Sequence, residues 1–137
     1  MKIRSFAFLP LSFSARVIAQ YQFYNLTTAA TNLSSTCIAV LNQAVNCDTS
    51  VAWAGQGRYE EDATLEALCT TTCAAALTTW LRRAAGACTS RYVDREGKAI
   101  LPAYWVEAVV ENYNLVCLQN GYVFGTTYSS ELDLTIT

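Results

Sequence analysis

Apolar side chains recur at helical spacing in four stretches of the chain, each bounded by capping or turn residues. The first helix is expected to begin near Ser34 or Ser35, residue types suited to an N-cap. Leu33 and Ile38 straddle that cap as a hydrophobic staple. Leu33, Cys37, Leu41 and Ala44 or Val45 line its buried face, and Cys37 and Cys47 mark its two ends. A second helix is expected from about Tyr59, with Leu65, Leu68 and Cys69 on its apolar edge. Thr70, Thr71 and Thr72 interrupt it and cap the next. The third helix has the longest stripe: Cys73, Leu77, Trp80, Leu81, Ala84 and Cys88 fall on one continuous face. Arg82 and Arg83 lie near its C-terminal end, where the helix dipole favours cations. The fourth helix opens at Pro102, a residue suited to a first helical position. Trp105, Val109, Asn112 or Tyr113, and Val116 give it a stripe that ends at Cys117.

The segments between these helices read differently. Residues 20–33 are extended and rich in Thr and Asn, and residues 48–58 form a glycine-bearing loop around Trp53. Asp94-Arg95-Glu96-Gly97 is a turn signal. From residue 118 the helical period stops and β-type residues alternate. Residues 121–137 are therefore expected to be an irregular tail, since a lone segment of that kind is marginal without a partner strand. The fold class is all-α: a small disulfide-stapled bundle of about four helices over residues 34–120, with cysteines at helix ends.

The N-terminus changes this picture by fixing a compartment. Lys2 and Arg4 form a basic start, Phe6 to Phe13 a short apolar run, and Val17-Ile18-Ala19 a cleavage site before Gln20. That is the outline of a secretory signal peptide over residues 1–19. Two Asn-x-Ser/Thr sequons follow at Asn25 and Asn32, making residues 20–33 a glycosylatable extended segment. Six cysteines in a small secreted chain read as three disulfides. Antiparallel first and third helices would bring Cys37 to Cys88 and Cys47 to Cys73. An antiparallel fourth helix would return Cys117 to Cys69. Six cysteines allow about fifteen connectivities, of which this is the one the helix geometry favours.

Composition mainly excludes. The chain of 137 residues, 53% hydrophobic and 15% charged, is sized for one domain. It contains no His, which removes the usual general base and with it Ser-His-Asp and Cys-His catalysis, HExxH sites and His-Cys zinc fingers. A net charge of −2 argues against a nucleic-acid surface. Removing residues 1–19 takes away three basic groups and sharpens the argument, leaving six basic against eleven acidic. No apolar run reaches membrane-spanning length, so no membrane association is expected after the leader is removed.

The candidate chemistry is sparse, and each candidate has a structural alternative. Glu107 and Glu111 share a helix face, as paired glycosidase carboxylates could, but two groups one turn apart lack the facing geometry that flanks a sugar. A solvated face opposite Trp105 explains them better. Glu60, Glu61 and Asp62 are contiguous, unlike the alternating ligands of a calcium loop, and suit the dipole of a helix N-terminus. Cys69-x3-Cys73 lacks the second close pair that a metal site needs. No cofactor is implied. Tyr21, Phe23, Tyr24, Tyr59, Tyr92 and Tyr104 add aromatic surface. Trp80 and Trp105 belong to core stripes, whereas Trp53 is either a sugar-stacking platform or a cap on the bundle end.

From Tyr24 to about Asn120 the chain resembles a helical cysteine-rich region of secreted fungal LysM-domain proteins. The resemblance is carried by LSSTCIAVLNQAVNCD (33–48), LEALCTTTCAAALTTWLRRAAGAC (65–88) and ENYNLVCLQNG (111–121). It implies a secreted fungal protein acting at a cell wall or host surface, with a wall glycan or a host protein as partner. In that family chitin binding belongs to LysM modules, and no Gly-Asp-[Ser/Thr]-hydrophobic turn of that kind stands in this sequence. The expected function is thus a non-enzymatic accessory or effector-like domain. The alternatives are a carbohydrate binder using Trp53, or the N-terminal part of a LysM chitin binder. The residues leave the oligomeric state open.

Overall fold

The computed structural model describes residues 19–29, 31–54, 56 and 61–119. The expected leader and the expected tail lie outside these residues, apart from Ala19.

The described part opens with a short strand, β1 (Tyr21–Gln22), and leads through a segment with a turn at residues 28–29 to α1 (Ser35–Leu41). The Ser34 hydroxyl caps α1 by accepting from the Cys37 amide at 3.2 Å. Cys37, Ile38 and Leu41 point inward. The helix does not run on to Cys47 as its spacing predicts. It stops at Leu41 because Asn42 is claimed by a distant backbone: Leu26 N–H donates to Asn42 Oδ1 at 2.7 Å, and Asn42 Nδ2 donates to Leu26 O at 2.8 Å. Beyond that clamp the chain is extended, and β2 (Ala44–Val45) pairs antiparallel with β1, Tyr21 opposite Val45. Val45 is still buried, but from a strand rather than a helix face.

The loop that follows contains a 3-10 turn over Thr49–Trp53. Asp48 caps it, accepting from Ser50 Oγ at 2.7 Å and Ser50 N at 2.9 Å. The hydroxyl bond, then the amide bond, hold its carboxyl below the ordinary carboxylate range. Helix α2 (Asp62–Leu68) begins at Asp62 rather than near Tyr59, because Glu61 is extended and serves as N-cap. Asp62 sits in the first turn as expected; Tyr59 and Glu60 lie outside the described residues.

Helix α3 (Thr71–Ala87) is capped by Thr70, whose hydroxyl accepts from the Cys73 amide at 3.1 Å. Cys73, Leu77, Trp80, Ala84 and Cys88 of the expected stripe are buried; Leu81 is only half-covered, and Ala74 joins the inner face. After it, β3 (Tyr92–Val93) and β4 (Ala99–Ile100) make a small hairpin. Asp94 Oδ1 accepts from the Glu96 and Lys98 amides, and Gly97 takes a φ of 81°, the left-handed region where a Cβ would be strained. Helix α4 (Ala103–Gln119) starts directly after Pro102. Its buried centre is Val106, Tyr113 and Cys117, with Trp105, Val109 and Val116 only partly covered. The inward face is thus rotated away from the predicted Trp105 stripe.

The three disulfides are Cys37–Cys88, Cys47–Cys73 and Cys69–Cys117, all buried. Contacts between the α1–β2 segment and α3 run in opposite chain directions: Cys37 meets Cys88, Val40 meets Trp80, and Cys47 meets Cys73. Trp80 is the centre of the core at 0% exposure. The architecture is therefore a four-helix, disulfide-stapled α domain in which two-residue strands only fasten the connections. No described helix is long and apolar enough to cross a membrane.

Tyr113 shows how the core satisfies its polar atoms. Its hydroxyl donates towards Thr70 O at 3.1 Å, with Leu68 O at 3.3 Å, closing the α2–α3 junction onto α4. Both carbonyls also accept backbone amides, so Tyr113→Phe strands no buried acceptor and is expected to cost about 1 kcal/mol. Burial pushes the Tyr113 phenol up to about 12. A raised folded-state pKa contributes stability that is complete below the unfolded value of 10.0 and is lost as pH rises through about 12. Urea unfolding of wild type should therefore weaken above pH 10.0, with a shallower slope in Tyr113→Phe; parallel slopes would remove Tyr113 from this role.

Candidate functional site

The aromatic residues of the extended N-terminal segment are committed to the bundle. Phe23 stacks on Trp80 at 5.0 Å, and Tyr24 bridges Trp80 and Trp105 at 6.0 and 6.2 Å. Tyr21 meets Phe23 edge-on, and Tyr92 of the hairpin meets Trp105 edge-on at 5.4 Å. This line of rings straps residues 21–24 across α3 and α4, and burial raises the Tyr24 phenol. The two sequon residues, Asn25 and Asn32, are exposed on the same connecting segment, so both side-chain amides are accessible.

Trp53 ends the 3-10 turn and is 47% exposed, in contrast to the fully buried Trp80. An exposed indole at a loop end is the kind of side chain that stacks on sugars. Asn46, Asp48, Ala67, Thr70 and Thr72 border a small mixed hollow of about 160 Å³, in which the Asp48 carboxylate is already engaged by Ser50.

The carboxylates do not converge. Glu107 and Glu111 lie on the outward side of α4, one half-buried and one exposed. Cys69 and Cys73 belong to different disulfides and cannot serve as a thiolate pair. Among the described residues no three metal-ligating side chains come together.

A groove of about 500 Å³ runs between the end of α3 and the start of α4, lined by Leu81, Ala85, Cys88, Leu101, Tyr104 and Glu107 among others. Its size suits a ligand or an inserted side chain. The outward face of α4 that adjoins it was not legible as a site from the apolar stripe alone. Its signal was present as a second series, Tyr104, Ala108, Glu111, Leu115 and Leu118, spaced four and three residues apart.

A family model described as the secreted LysM effector N-terminal domain matches residues 17–124. A LysM domain-containing protein of Arthroderma benhamiae is 34% identical over 106 residues, covering 74% of this chain and 18% of that protein. A second LysM domain-containing protein of the same fungus is 26% identical over 119 residues, covering 80% of this chain and 23% of that protein. The chain spans about a fifth of the length of these curated relatives. No solved structure matches it.

Proposed function

Because the chain belongs to the family of secreted LysM effector N-terminal domains, we propose that it is a non-enzymatic recognition module at a cell wall or host surface. The observation that carries this reading is where its polar and aromatic side chains go. Trp80, Tyr24 and Tyr113 are consumed in packing, Asp48 and Asp94 cap their own turns, and Glu107 and Glu111 stand on the outer side of one helix. The sequence supplies no His to act as base. Specificity then falls to exposed side chains on a scaffold whose shape the disulfides hold, which lowers the ordering cost of binding.

A second reading is favoured by one observation, the exposed Trp53: direct binding of a chitin-like glycan. Retention on chitin beads separates the two. The chain by itself is expected to pass through unretained, and Trp53→Ala to behave identically. Retention abolished by Trp53→Ala would favour the glycan reading, and hydrolysis of a glycan substrate would overturn both.

A further inference from the structure

The outer side of α4 is built like an interface. Among the described residues five large hydrophobic side chains are exposed, and three of them, Tyr104 (57%), Leu115 (56%) and Leu118 (58%), lie on this helix. Single exposed apolar residues are ordinary on a protein surface. These three are not scattered. At about 3.6 residues per turn, Tyr104, Glu107, Ala108, Glu111, Leu115 and Leu118 fall within an arc of about 100°, opposite the buried Val106, Tyr113 and Cys117. α4 therefore has two apolar faces, and only one of them is used by the core.

The charges on that face say what would fit it. Glu107 and Glu111 are the only charged residues of α4, and neither has an ion-pair partner among the described residues. A second copy of the chain is a poor occupant. Glu111 lies midway between Tyr104 and Leu118, so an antiparallel two-fold sets it against its own copy, and a parallel one opposes both carboxylates. A helix with apolar residues at the same spacing and Lys or Arg opposite the two carboxylates satisfies both requirements.

We propose that the outward face of α4, continued into the groove beside Tyr104, is the docking surface for a basic amphipathic helix of a partner protein. The inference rests on the reading of the chain as a recognition module and names the surface and partner chemistry of that module. Leu115 and Leu118 cover the partner's apolar stripe, Tyr104 closes the groove end, and the two carboxylates fix register.

The test uses the full chain and a labelled probe peptide, acetyl-LKKLLKLLKKLLKL-amide, with its Glu-for-Lys counterpart as control. Fluorescence anisotropy near physiological salt is expected to show micromolar binding of the basic peptide and none of the acidic one. Amide NMR shifts should be confined to α4's outer residues and the groove. The double variant Glu107→Gln/Glu111→Gln is expected to weaken binding about tenfold, and Leu115→Ser by a similar factor, with unchanged unfolding curves. No binding, equal binding of both peptides, or binding indifferent to these substitutions overturns the proposal. So does a dimer in sedimentation that Leu115→Ser dissociates, which would make a second copy the occupant. Any of these failures leaves the chitin-bead result, and the reading it tests, unaffected.

Discussion

Trp80→Ala is expected to remove about 4 kcal/mol of folding stability, the largest effect of any single substitution in this domain. Trp80 is fully buried, its ring stacks on Phe23 and sits within reach of Tyr24, and its Nε1–H donates to Val40 O at 2.8 Å. Truncation leaves a large cavity at the point where α1, α3 and the N-terminal segment meet. The surrounding helices are fixed by disulfides and cannot collapse into it, so the cost belongs in the upper part of the range of about 3–5 kcal/mol. Val40 O keeps a bond from the Gln43 amide, so the loss is mainly of packing rather than of a stranded acceptor. Trp80→Phe separates the two terms: it keeps an aromatic ring against Phe23, loses the indole donor, and is expected to cost less than half as much. Urea unfolding followed by far-UV circular dichroism measures both. A cost under about 1 kcal/mol for Trp80→Ala would mean that the core is centred elsewhere.

The second large effect is that of the Cys37–Cys88 disulfide. Its partners are 51 residues apart, so the crosslink closes a long loop, and replacing both cysteines by Ala is expected to cost about 4 kcal/mol. The Cys47–Cys73 bridge closes a shorter loop, with a separation of 26, and removing it is expected to cost about 3.5 kcal/mol on the same entropic account. Domains of this size retain about 5–15 kcal/mol in all, so reducing all three bridges is expected to abolish cooperative unfolding at room temperature. Non-reduced peptide mapping should return the three pairs first, and thermal unfolding of each double variant then ranks the bridges. Cys37 found joined to another cysteine, or a double variant as stable as wild type, would contradict the assignment.

The parts of the fold that were legible from the sequence are those set by local chemistry. The caps Ser34 and Thr70 each need only an amide three residues on, at Cys37 and Cys73. The stripe of α3 is long enough that its buried face follows from period alone. The turn at residues 94–97 is closed by Asp94 and Gly97, whose side chain and backbone freedom act within the turn itself. The strands beside that turn, two residues each, are too short to leave an alternating pattern. The candidate site was legible only as separate residues: Trp53 as a loop aromatic, Glu107 and Glu111 as a shared helix face.

Sequence by itself therefore determined the α class, the number of helices and the caps of α1 and α3, because those depend on spacing and on neighbours a few residues away. It also excluded catalysis built on His, because composition needs no geometry. Tertiary structure decided where α1 ends and which side of α4 is inside. The helical pattern through Ala44 and Val45 was overridden by hydrogen bonds from Leu26 to Asn42 and from β1 to β2, partners that lie 16 or more residues away. In α4 apolar residues occupy both sides, so the period could not say which would pack. Tyr113 settled it: its hydroxyl finds Thr70 only when Val106, Tyr113 and Cys117 face inward, and that choice turns Tyr104, Leu115 and Leu118 out to the surface.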